Sequence, residues 1–151
     1  MSNSIDLEDR FADGQFKLMD EDFEGSIVIF NEVLELDPNF ANAYQARAIA
    51  KLRMGDTEAA LKDMDEAIRC EPDNPKFYYR KGAMLFQQDM LDEAIEPLSQ
   101  AIDMDATFAS AYYLRSQVLE RLGEEEAAAL DMNQAMALRK EQAKGSKQID
   151  F

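Results

Sequence analysis

The sequence contains no histidine and no tryptophan, and only one cysteine, four prolines and six glycines in 151 residues. Without histidine there is no Ser-His-Asp or Cys-His nucleophile pair and no histidine-bearing zinc or iron motif. The glycines are scattered rather than gathered into a phosphate loop. Catalysis and a bound cofactor are therefore not expected. The lone Cys70 cannot close an internal disulfide, suits a reducing cytoplasm, and is read as a free buried thiol. Long apolar runs are also missing, so no segment should cross a bilayer. The stretch "MSNSIDLEDRF" lacks the basic start and apolar run of a secretory signal. Positive charge is scarce: 16 basic residues stand against 31 acidic ones, a net charge of −15. A field of that sign repels nucleic acid and anionic lipid, which removes both as default partners. Adjacent carboxylates such as Glu124, Glu125 and Glu126 suit a helix N-terminus better than acid/base chemistry.

What the chain does have is 46% apolar residues, enough for a folded core in a single domain. Those residues recur with an internal period of 34. Tyr44, Tyr78 and Tyr112 keep that spacing, as do Ala60, Ala94 and Ala128, and Ala67, Ala101 and Ala135. Pro38 and Pro72 form another ladder, and Arg47, Lys81 and Arg115 a fifth. Within each repeat the large apolar residues return every three or four positions, which is helical. Gly55 and Gly123 sit where a helix C-terminus wants a left-handed residue. Asp56 can cap the following helix, and Asn74-Pro75 is a helix start. The pattern predicts helix pairs at 6–19/22–36, 41–54/57–70, 75–88/91–104 and 109–122/125–142. Gly14, Ala48, Gly82 and Ser116 share one repeat position, and Ser26, Ala60, Ala94 and Ala128 another. Small residues there let paired helices approach closely. Pro97 falls inside a helix and predicts a kink.

The segment "DEDFEGSIVIFN" resembles a calcium-binding loop, with Asp20, Asp22, Glu24, Gly25 and Ile27 in register. Its last position is Asn31, where a bidentate Glu is required. It is read as an inter-helix turn, and no metal is expected.

These ladders resemble the tetratricopeptide repeat, whose 34-residue unit carries a Gly/Ala, an Ala, an aromatic and a Pro at these places. The resemblance covers residues 7–142 and implies an all-α fold, a right-handed α-solenoid of antiparallel helix pairs. It divides the chain into repeats 7–40, 41–74, 75–108 and 109–142, the first degenerate, followed by a polar tail at 143–151. The family's geometry implies a concave groove lined by the first helix of each repeat. Its facing residues would be Phe11, Gln15, Asn42, Gln45, Ile49, Arg53, Lys76, Tyr79, Arg80, Phe86, Tyr113, Gln117 and Arg121.

Charge is distributed unevenly on this frame. The first helices of repeats two to four account for Arg47, Lys51, Arg53, Lys76, Arg80, Lys81, Arg115 and Arg121, against two acids, Asp89 and Glu120. Such a groove would favour a protein or peptide ligand with acidic residues or a free C-terminal carboxylate. Arg47 and Arg115 share a position opposite Asp63 and Asp131, so they are read as structural ion pairs. Lys76 and Arg80 belong to another position. There "KFYYRKGAML" resembles the third repeat of carboxylate-clamp domains, which bind the acidic tails of the seventy- and ninety-kilodalton heat-shock chaperones. Two of five clamp residues match; Phe11, Gln15 and Ala46 stand where a Lys and two Asn belong. The resulting expectation is a cytoplasmic, non-enzymatic interaction scaffold, an adaptor or assembly co-chaperone. The alternatives are a dedicated secretion-type chaperone and a weak homo-oligomer in which the terminal "QIDF" docks into a neighbour's groove.

Overall fold

The computed structural model describes residues 6–149, with side chains described through Ser146. Eight helices follow one another: α1 (Leu7–Met19), α2 (Phe23–Leu36), α3 (Ala41–Arg53), α4 (Thr57–Cys70), α5 (Pro75–Gln87), α6 (Leu91–Met104), α7 (Ala109–Arg121) and α8 (Glu125–Ile149). No strand occurs among the described residues. Short turns make sequence neighbours antiparallel, and each odd-numbered helix packs on the even-numbered one after it. α2 also packs on α3, and α6 on α7. The chain divides after Asp73 into two compact halves, α1–α4 and α5–α8.

Local chemistry sets the helix starts. The Asp6, Asp22 and Asp56 carboxylates accept backbone N–H bonds from Glu8 at 3.0 Å, Gly25 at 3.0 Å and Ala59 at 3.2 Å. Asn74 accepts from the Lys76 N–H at 3.1 Å, with Pro75 opening α5. α3 and α7 have no side-chain cap and begin behind Phe40 and Phe108. The segment that resembles a calcium loop is the α1–α2 turn and the start of α2. α6 runs unbroken through Pro97, so the proline costs a hydrogen bond without ending the helix. α8 continues to Ile149, which makes residues 143–149 of the polar stretch helical. Cys70 is half-buried rather than buried; what burial it has pushes the thiol pKa up.

The turns hold the one backbone surprise. Gly55 and Gly123 take φ of 89° and 83°, but the same repeat position holds Glu21 and Asp89 at 61° and 60°. Left-handed backbone costs a residue with a Cβ about 1–2 kcal/mol, so something must hold these two acids there.

The pairs close on their small residues. Ser26, Ala48, Ala60 and Ala94 are fully buried, and a Cβ on Gly82 would stand 2.6 Å from Leu98 Cγ. A Cβ on Gly14 would strike the Phe30 ring. Phe30, Met64, Phe77, Met84 and Leu98 fill the spaces that this approach leaves, each buried to 2% exposure or less. Each such side chain contributes about 1.5–3 kcal/mol by leaving water.

Gly82→Val should therefore lower unfolding free energy by about 1–3 kcal/mol, because Leu98 has no room to retreat. Gly145→Ala on α8, where nothing lies within 4 Å of the new methyl, should instead raise it by about 0.5–1 kcal/mol. Urea titrations of the two variants beside the parent check both signs.

Candidate functional site

First helices of successive repeats lie side by side within each half, α1 against α3 and α5 against α7. In the N-terminal half they enclose an open cleft of about 390 Å³. Gln15, Gln45 and Ile49 line it, together with Ala12, Phe16, Met19 and Ala46. Phe16 and Met19 are 66% and 77% exposed, a large apolar surface for a water-facing helix. The sequence reading missed both. Their spacing from Ala12 (residues 12, 16 and 19) was the available signal, since it puts all three on one helix stripe.

Other expected groove residues turn inward or sideways. Phe11 is a core residue, 7% exposed, with its ring centroid 5.7 Å from Phe30 and 5.0 Å from Phe40. Tyr79, at the same position in the third repeat, packs in the same way on Phe108 at 5.0 Å. Tyr113 lies under the Arg139 guanidinium at 5.0 Å. This repeat position packs against later residues of the chain, and only Gln45 reaches the cleft. Asn42 is exposed, Gln117 half-buried, and Phe86 lies beneath Arg121.

The cations of the first helices are mostly engaged internally. Arg47 donates Nε and Nη2 to the two oxygens of Asp63 at 2.8 and 2.7 Å, and Nη1 to Asn31 Oδ1 at 2.9 Å. One guanidinium thereby joins α2, α3 and α4. Arg115 repeats the arrangement, with Asp131 at 2.6 and 2.8 Å and Ser99 Oγ at 3.1 Å. In both cases the bond to the aspartate raises the arginine pKa against the opposing effect of burial. Lys51 adds a second cation to Asp63 at 3.0 Å; its counterparts are Leu85 and Leu119. Arg53 pairs with Glu21 at 2.9 Å and Arg121 with Asp89 at 3.6 Å, and those acids are the two in left-handed backbone. Asp89 thus belongs to the turn after α5 rather than to the helix. Arg47/Arg115, Arg53/Arg121 and Phe40/Phe108 are all 68 residues apart, so the halves repeat each other at twice the basic period.

Two cations remain. Lys76 is exposed, and neither it nor Arg80 stands in an ion pair among the described residues. Arg80 is half-buried, and its Nε is a buried side-chain polar atom that lacks a hydrogen-bond partner among the described residues. Both project from the first two turns of α5, on one face. No helix among the described residues is long and apolar enough to cross a membrane, and no metal-holding cluster of His, Cys, Asp and Glu occurs among them. Asp150 and Phe151, which the sequence reading placed in a neighbour's groove, lie outside the described residues.

Helix pairs at a 34-residue period, closed on small residues and presenting their first helices as a surface, define a repeat scaffold. Tetratricopeptide repeat models match residues 29–62, 46–107 and 109–142. The chain belongs to the tetratricopeptide repeat family. It is 49% identical over 55 residues to Protein FlbA of Caulobacter vibrioides, which is 36% of this chain and 9% of that one. It is 29% identical over 94 residues to Hsp70-Hsp90 organizing protein 3 of Arabidopsis thaliana, 62% of this chain and 16% of the relative. The chain thus spans a small part of each curated relative. Among solved structures, MamA from Desulfovibrio magneticus RS-1 shares the fold, with a TM-score of 0.79 and 22% identity over 91% of this chain and 77% of that one.

The arginine forks predict an asymmetry. Arg115→Met strands the 7%-exposed Asp131 and should cost about 3–5 kcal/mol. Arg47→Met should cost less, because Lys51 still neutralises Asp63. Denaturant midpoints for the two variants should differ in that order; equal losses would mean that Lys51 carries none of the charge balance.

Proposed function

We propose that the chain is a non-enzymatic protein-interaction scaffold that holds an extended or helical peptide against its first helices, as an adaptor or assembly co-chaperone. The family supports a role in binding protein. Similarity to an Hsp70-Hsp90 organizing protein supports the co-chaperone class. In the N-terminal half the cleft between α1 and α3 offers apolar contacts; in the C-terminal half, taken by itself, Lys76 with Arg80 on α5 offers an anion subsite for an acidic side chain or a terminal carboxylate.

The observation that carries this reading is the unpartnered Arg80 Nε. A buried N–H without an acceptor costs about 1–3 kcal/mol. A shift of the side chain that brings Nε to a ligand carboxylate removes that cost and gains a charge-assisted fork. Lys76, one turn away, adds a point charge. A two-cation site holds one carboxylate well. Lacking the further clamp donors, with Phe11, Gln15 and Ala46 in their places, it does not favour the doubly anionic Asp terminus of heat-shock tails.

The test is capture of partners from a lysate of the source cell by the parent chain and by Lys76→Glu/Arg80→Glu. Loss of the partner from a still-folded variant is the expected result, worth about 2–5 kcal/mol in affinity where the ion pairs are buried. An identical partner set from both proteins would remove the subsite from the binding surface. A single partner recovered at constant ratio would mark a dedicated chaperone rather than an adaptor.

A further inference from the structure

The last helix pair breaks the repeat pattern at two neighbouring places. Near the end of the first helix, repeats one to three carry Leu18, Leu52 and Phe86; early in the second they carry Ile27, Leu61 and Ile95. All six are half-buried. Repeat four has Glu120 and Ala129 instead. Between α7 and α8 a cavity of about 300 Å³ opens there, lined by Ser116, Glu120, Glu125, Ala128, Ala129 and Met132. Its floor is apolar and its rim carries two carboxylates. Glu125 has an ordinary reason to be where it is, the first turn of α8, where the helix dipole favours an acid. Glu120 has none. It lies in the last turn of α7, where the same dipole disfavours an acid, and it takes a position otherwise given to Leu or Phe.

Repeats one and three show what fills this place. In each, the following first helix delivers an arginine to it. Arg53 lies over the Phe23 ring at 4.9 Å and pairs with Glu21; Arg121 lies over Phe86 at 4.7 Å and pairs with Asp89. Phe23 is the counterpart of Glu125, and Phe86 of Glu120. In repeat four the turn position is Gly123, and the acids stand in the pocket walls instead.

The rest of the α8 face continues the same interface. Ala135 and Met136 correspond to Val33–Leu34 and Ala101–Ile102, which cluster with Ala43 and Ala111 of the following helix. Leu34 and Ile102 are buried, whereas Met136 is 63% exposed. Asn133 corresponds to Asn31 and Ser99, the acceptors for Arg47 and Arg115, and it is exposed.

We propose that the α7–α8 face is a docking site for a cationic amphipathic helix of a partner protein, whose arginine enters the cavity between Glu120 and Glu125. The arginine stem lies on Ala129 and Met132, its guanidinium meets the two carboxylates, and the apolar stripe of the helix covers Met136. This site takes charge of the opposite sign to the ligand of Lys76 and Arg80, so the two proposals stand or fall separately.

The probe is a helix-stapled synthetic peptide with the sequence of residues 41–53, titrated into the full chain by calorimetry and followed by amide shifts. Binding that shifts the amides of Glu120, Glu125 and Met132 is expected. It should weaken about tenfold or more when the peptide carries Arg53→Gln, and likewise when the protein carries Glu120→Gln/Glu125→Gln. The exposed pair Glu93→Gln/Glu96→Gln, which removes the same charge elsewhere, should leave affinity within about twofold, as surface charges at a distance do. Ala129→Leu restores the residue type of Leu61 and should abolish binding while the fold keeps its stability. Affinity unaffected by Glu120→Gln/Glu125→Gln, or shifts confined to other helices, would overturn the proposal. So would self-association of the chain that is lost in Ala129→Leu without peptide binding, which would name a second copy as the occupant.

Discussion

Everything in this molecule depends on two helices approaching closely where neither carries a large side chain. At Gly14 and Gly82 a single added carbon would meet a ring or a leucine branch. That closeness creates the gaps which Phe30, Met64, Phe77 and Leu98 fill, and it fixes the rotation of each pair about its long axis. With the rotation set, the residues one turn away on the first helix must face its neighbour or the solvent. The surface available for binding is in this sense what remains after packing.

The second constraint is electrostatic, and it uses up most of the available positive charge. A chain of net charge −15 buries Asp63 and Asp131, and each needs a guanidinium. Arg47 and Arg115 satisfy them with two-pronged bonds and use the remaining nitrogen to reach the preceding pair. Arg53 and Arg121 pair with the acids of the left-handed turns, and as exposed ion pairs they offset only part of the backbone strain. Cations that look like a binding surface in the linear sequence are therefore mostly structural. The exception at Lys76 and Arg80 becomes visible only once the others have been assigned partners.

Much of this was legible in the residues. The 34-residue ladders gave helix ends to within about a residue for seven of eight helices, because capping and small-residue packing are local and periodic. The ion pairs of Arg47 and Arg115 were readable for the same reason, as both partners recur at fixed spacing. The groove was read less well. Phe11, Tyr79 and Tyr113 share a face with residues that line the cleft, and periodicity cannot say whether that face meets water or the next element. Glu21 and Asp89 give no sign of left-handed backbone in their identity, and the arginine each pairs with lies 32 residues on. The length of α8 was missed because its polar end carries no apolar period to mark helix.

The 68-residue correspondence has a bearing on how such a chain can change in length. Arginine and acidic turn alternate with glutamine and glycine from one repeat to the next, so neighbouring repeats are not interchangeable parts. Loss or gain of a single repeat would set Glu21 opposite Gln87, leaving a strained turn without its counter-charge. Loss or gain of two together keeps every fork, stacked ring and turn matched. The heritable module of this protein is thus the pair of repeats, and recombination that respects it has the smoother path.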